Sequence, residues 1–128
     1  MSSEAITTRT AKVWLRDDGI VQIAPFPNAY DMLEDAQANV AAGFKAGREQ
    51  RHPLLVDIRP IKGIDREARA YYSGGSTAQM ISAMALLVES PLSRILANFF
   101  IGLNKMPVPT RLFTSEAEAV AWLKGFSE

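Results

Sequence analysis

Apolar positions switch between two periods along these 128 residues, and the switching predicts the elements. The runs KVWLR (12–16) and IVQIA (20–24) are short and rich in strand formers. They flank Asp18-Gly19, turn residues suited to a tight hairpin. In HPLLVDI (52–58), Leu54, Leu55 and Val56 follow one another without a polar interruption, which suits a strand buried on both faces, as inside a parallel sheet. ISAMALLV (81–88) is apolar throughout. Periodicity alone permits a helix there, and its place between polar turns favours a second buried strand. PTRLFTS (109–115) supplies a short last strand.

Helical spacing separates these runs. Asn28 with Asp31 three residues on reads as an N-cap and its return partner, followed by Leu33, Ala36, Val40 and Phe44 on one face and a stop between Gly43 and Gly47. Asp65 can cap a short helix that ends at Ser73-Gly74-Gly75. Ser90 as N-cap and Pro91 at the first position open an amphipathic helix whose Leu92, Ile95, Leu96, Phe99, Phe100 and Leu103 recur at helical spacing. Ser115 and Glu118 form a capping box for a final helix with Val120 and Leu123 inward. Residues 1–10 are polar and unpatterned and are expected to fray, leaving 11–128 as a single domain without repeat or linker. The order β-β-α-β-α-β-α-β-α implies an α/β fold: a mixed sheet of about five strands, antiparallel at the hairpin edge and parallel elsewhere, with helices packed on it.

Composition narrows the function classes. Fourteen basic residues balance fourteen acidic ones, so no overall field favours nucleic acid. Cysteine is absent, which removes disulfides, thiolate metal sites and a thiol nucleophile. The first ten residues carry Glu4 and no apolar stretch of the signal-peptide kind, and no run approaches the roughly 20 apolar residues of a membrane span. A cytoplasmic domain without membrane insertion is expected.

The segment VDIRPIKGIDREA (56–68) resembles the STAS domain, the fold of anti-sigma-factor antagonists and of the cytoplasmic tails of sulphate transporters. That family carries a strand ending in Asp, a loop, then an apolar residue and Asp-Ser-Ser-Gly at a helix start. Asp57, Ile64 and Asp65 keep that layout, while Arg66 and Glu67 stand in place of the serines and Ala68 in place of the glycine. The resemblance implies a regulatory, non-enzymatic domain that binds a protein partner. Its switch position is Asp65, Arg66 and Glu67, and the phosphoacceptor serine is replaced by Glu67, so phosphorylation at the family position is not expected. Glu67 is accounted for by the favourable placement of negative charge at a helix start, worth about 0.3–1 kcal/mol. It also suits a permanent imitation of the phosphorylated state.

Candidate chemistry is sparse. The single imidazole, His52, precedes its strand, at the opposite end of the sheet from where ligands of open α/β folds sit. Asp57 and Asp65 suit turn and cap roles. No catalytic constellation, metal site or cofactor is expected. Arg59, Lys62 and Arg94, with Ser90 at a helix start, should gather at the carboxyl edge of the sheet. There they could hold a small anion or pair with nearby acids. Phe99, Phe100 and Leu103 give the long helix more apolar circumference than one sheet face covers, which suits a homodimer interface or an apolar ligand. A carrier or sensor of a small anionic or lipid-like ligand is therefore the alternative to protein partnership.

Overall fold

The computed structural model describes residues 4–89, 97 and 106–126. Six strands form one mixed sheet: β1 (Ile6–Thr7), β2 (Ala11–Leu15), β3 (Val21–Pro25), β5 (His52–Asp57), β7 (Ile81–Leu87) and β8 (Thr110–Phe113), hydrogen-bonded in that order. The first two junctions are antiparallel and the last three parallel. A second ribbon joins β4 (Tyr30–Asp31) to β6 (Gly63–Ile64), in parallel. The helices are α1 (Leu33–Ala46), α2 (Arg66–Tyr72), α3 (Gly75–Met80) and α4 (Glu116–Lys124). The α/β architecture inferred from the sequence is thus present.

Pleating explains the uninterrupted apolar runs. On β5, Leu54 joins the core beneath α1, with Val13, Ile23, Met84 and Leu86 from neighbouring strands and Val40 from the helix. Leu55 points the other way, into a smaller core with Ala83, Ala85, Ala119 and Leu123 under α4. The alanines of β7 leave room for α4 to lie close. The hairpin turn closes through the Arg16 N–H to the Ile20 carbonyl at 2.8 Å, with Gly19 at φ +83°, a left-handed conformation open to glycine.

Several expectations need correction. Within the supposedly frayed residues 1–10, Ile6 and Thr7 pair with Val13 and Lys12, and Thr10 is buried. That edge strand is two residues long, too short to show an alternation. Helix α1 begins later than the Asn28 cap implies. Met32 is the N-cap residue, and the Asp35 carboxylate accepts its N–H at 2.9 Å. Asn28 instead takes φ +63° and donates its N–H to the Pro60 carbonyl at 2.8 Å. Ser73 closes α2, and the chain then re-enters a helix, α3, that has no apolar periodicity. The amphipathic helix expected from Ser90 onward lies outside the described residues, apart from Ala97, which is helical and buried.

Candidate functional site

The carboxyl end of β5 delivers Asp57 into the loop that leads to β6 and α2. Asp57 accepts the Arg59 N–H at 3.0 Å and both Nε and Nη2 of its guanidinium, at 2.8 and 2.7 Å. These hydrogen bonds, more than any other influence, raise the pKa of Arg59. Its Nη1 also stands 3.8 Å from Glu89. The fork that an external anion would need is therefore already occupied by a carboxylate. Lys62 is exposed, and its N–H reaches the Ala29 carbonyl at 2.7 Å. The other two members of that set, Ser90 and Arg94, lie outside the described residues, as do Phe99, Phe100 and Leu103.

Beyond Lys62 the chain pairs with β4 and enters α2. Asp65 is extended, at φ −75° and ψ 173°, and its Oδ1 accepts the Ala68 N–H at 2.8 Å, leaving Arg66 and Glu67 exposed on the first turn. The glutamate charge sits where helix amides are unpaired. Ala68 is fully buried.

Three features of this end are not evident from the local sequence. Tyr30 and Met32, at 45% and 47% exposure, are the two large apolar side chains among the described residues left most open to solvent. They flank Asp31 on and beside β4. Gly63 permits the close approach of Tyr30, because a Cβ there would lie 3.0 Å from the ring's Cε1. The second feature is a polar cluster behind the ribbon. The Tyr72 hydroxyl donates to Asp31 Oδ2 at 2.5 Å and accepts from Asn39 Nδ2 at 3.0 Å. Asn39 also donates to Thr10 Oγ1 at 3.1 Å and accepts from the Thr8 hydroxyl at 2.6 Å. Burial first, then the Asp31 charge, pushes the Tyr72 pKa far up. Beside it, Arg9 donates to both oxygens of the buried Asp35, at 2.7 and 2.5 Å, and those bonds chiefly hold the Asp35 carboxyl below the usual carboxylate range. The third feature is a cavity of about 70 Å³ between the sheet and α1 and α2. Leu54, Val56, Met84 and Leu86 belong to its apolar lining, and Asp31, Asn39, Arg69 and Tyr72 to its polar lining.

His52 lies at the far end of the sheet. Its Nδ1 faces the Gly19 carbonyl at 3.1 Å and its Nε2 the Gly47 carbonyl at 2.9 Å, tying the hairpin turn to the end of α1. No group of three His, Cys, Asp or Glu residues suited to a metal occurs among the described residues. None of the described helices is long and apolar enough to cross a membrane.

Residues 13–127 match the model of a domain of unknown function, DUF7793. The chain belongs to that family. Comparison with curated proteins gives no match. Among solved structures, an anti-sigma factor antagonist from Mycobacterium paratuberculosis is similar at TM-score 0.62 and 14% identity, over 90% of this chain and 93% of that one. An uncharacterized DUF3478 protein of SpoIIAA-like fold from Shewanella loihica PV-4 is similar at TM-score 0.58 and 16% identity, over 94% and 99%. A protein of unknown function from Arthrobacter sp. FB24 is 38% identical over 87% of this chain and 96% of that one, at TM-score 0.35. The first two likenesses show the fold, which is STAS-like.

Proposed function

We propose that this DUF7793 domain is a non-enzymatic regulatory module that binds a protein partner through the surface made by β4, β6 and the first turn of α2. The observation that carries this reading is the placement of Tyr30 and Met32. Tyr30 on β4 and Met32 just beyond it are exposed, and β4 pairs with β6, which leads through Asp65 into the exposed, charged Arg66 and Glu67. Apolar anchors rimmed by charge suit protein recognition. The antagonist of similar fold favours a protein partner over a substrate. Glu67 makes the surface constitutive, since it carries a fixed negative charge and lacks the hydroxyl that a serine kinase phosphorylates. Serine kinases of the antagonist-regulating class should therefore leave the mass of the peptide spanning residues 65–68 unchanged.

The test is affinity capture from extract of the source organism with wild-type protein, a Tyr30→Ser/Met32→Ser variant and a Glu67→Ser variant. A protein retained by the wild type and lost from the double variant supports the surface. Equal retention by all three sinks it. The proposed assembly is a symmetric homodimer, which light scattering tests. A monomer persisting at high concentration would remove that part.

The cavity favours a second reading, a carrier of a small apolar molecule. Asp31 and Arg69 both line it, so its polar lining carries one charge of each sign and suits an uncharged ligand with donor and acceptor groups. Native mass spectrometry of freshly purified protein would reveal it as added mass.

A further inference from the structure

Of the seven residues of α2 only Ala68 is fully buried, and Tyr71 and Tyr72 rest half-buried against the main core. Arg69 Nη1 donates to the Ile64 carbonyl at 2.8 Å, and two further polar attachments, one from each end of the helix, converge on one residue of the neighbouring ribbon. The Asp31 carbonyl accepts the N–H of Asp65, the helix's N-cap, at 2.9 Å, and the Asp31 carboxylate accepts the hydroxyl of Tyr72, the last residue of the helix, at 2.5 Å. Tyrosine side chains on a helix lean back toward its N-terminus, which brings the ring of the last turn to the strand that meets the first. Asn39 of α1 steadies the same hydroxyl from the other side and is itself held by Thr8 and Thr10.

We infer that Tyr72 is the positioning residue of the switch helix: its bond to the Asp31 carboxylate ties the end of α2 to the same residue whose carbonyl holds Asp65 at its start, and so sets Asp65, Arg66 and Glu67 in register with Tyr30 and Met32. Directional bonds suit this task better than apolar packing, because a hydrogen bond to a carboxylate weakens steeply when its geometry is lost. The buried hydroxyl remains protonated, as the upward shift of its pKa requires, and therefore remains a donor. Asp31 lies between the two exposed side chains in sequence, so its inward pull also orients them outward along the ribbon. The clamp is a property of the free protein. Its meaning for recognition rests on the proposed partner surface, and a measurement without partner separates the two.

The measurement is backbone ¹⁵N relaxation on the wild-type protein, Tyr72→Phe, Asp31→Ala and Asp31→Asn. In the wild type, order parameters over 65–72 should match those of β5 and β7, near the rigid value of about 0.85. Removing the hydroxyl or the carboxylate should drop those of α2 toward about 0.6 while β5 and β7 remain rigid. Asp31→Asn keeps an acceptor oxygen and should restore a rigid helix. A purely structural tyrosine would instead loosen the sheet and the helix together, and that result would overturn the inference, as would an α2 that stays rigid in Tyr72→Phe. The wild type alone offers a check that needs no variant to fold. The Tyr72 hydroxyl proton should give a slowly exchanging resonance with contacts to the Asn39 amide, and its rapid exchange with solvent would contradict the clamp.

Discussion

Helices α2 and α4 are of similar length and each begins on a side-chain cap, Asp65 in one and Ser115 in the other, yet the balance of apolar and polar attachment differs between them. Ala119 and Leu123 of α4 are fully buried on Leu55, Ala83 and Ala85, and Trp122 packs edge-on to Phe126 at 4.8 Å. Helix α2 fully buries one alanine, rests Tyr71 and Tyr72 half-buried on the main core, and is held besides by the Asp65 cap, the Arg69 Nη1 bond to the Ile64 carbonyl at 2.8 Å, and the Tyr72 hydroxyl. Apolar attachment is non-directional and resists removal. Polar attachment fixes a position without excluding water from the exposed side. The candidate recognition surface lies on the polar-held helix, where precise placement matters more than depth of burial.

The largest expected effect breaks the apolar side of this contrast. Leu123→Ala should lower unfolding free energy by about 2–5 kcal/mol, measured in urea, because the fully buried side chain leaves a cavity. The Tyr30 and Met32 surface should keep its partner at temperatures where that variant remains folded.

A second effect is a pH signature confined to the polar side. Asp35 has its folded pKa lowered, chiefly by the hydrogen bonds from Arg9. Its stabilisation is therefore present above the unfolded carboxyl value near 4 and is lost as pH falls through the lower folded value. Asp35→Asn should flatten the acid limb of thermal stability below about pH 4, and an unchanged limb would show that the Arg9 pair contributes nothing. Arg9 is largely exposed, so added salt should shrink the difference.

Smaller effects sharpen the contrast within α2. Asp65→Ala removes the cap and should cost about 1 kcal/mol, visible as faster amide exchange at Ala68. Glu67→Gln should cost only about 0.3–1 kcal/mol at low salt, since the exposed carboxylate acts through the helix dipole alone. A larger loss would mean that Glu67 has a partner in the folded domain.

The two regions also differ in how far sequence discloses them. Leu54–Val56 suits a central strand by its uninterrupted apolar run, Ile81–Leu87 by its place between polar turns, and Ser115 with Glu118 announces α4 by a three-residue spacing. The layout of Asp57, Ile64 and Asp65 was enough to suggest the fold. The ribbon of β4 and β6 was not legible, because two-residue strands carry no period. The clamp joins Asp31 to Tyr72 across 41 positions, a separation that no local pattern spans. One faint signal was present in Asn39, an amide among Ala36, Val40 and Gly43 on the inward side of α1, where a buried polar group demands partners.

Hydrogen exchange of the domain, alone and with its captured partner, tests the central claim most directly. Protection should rise over residues 29–34 and 62–68, the ribbon and the start of α2, and stay level across α4. Protection gained on α4 or at the His52 end, with the ribbon unchanged, would contradict the account.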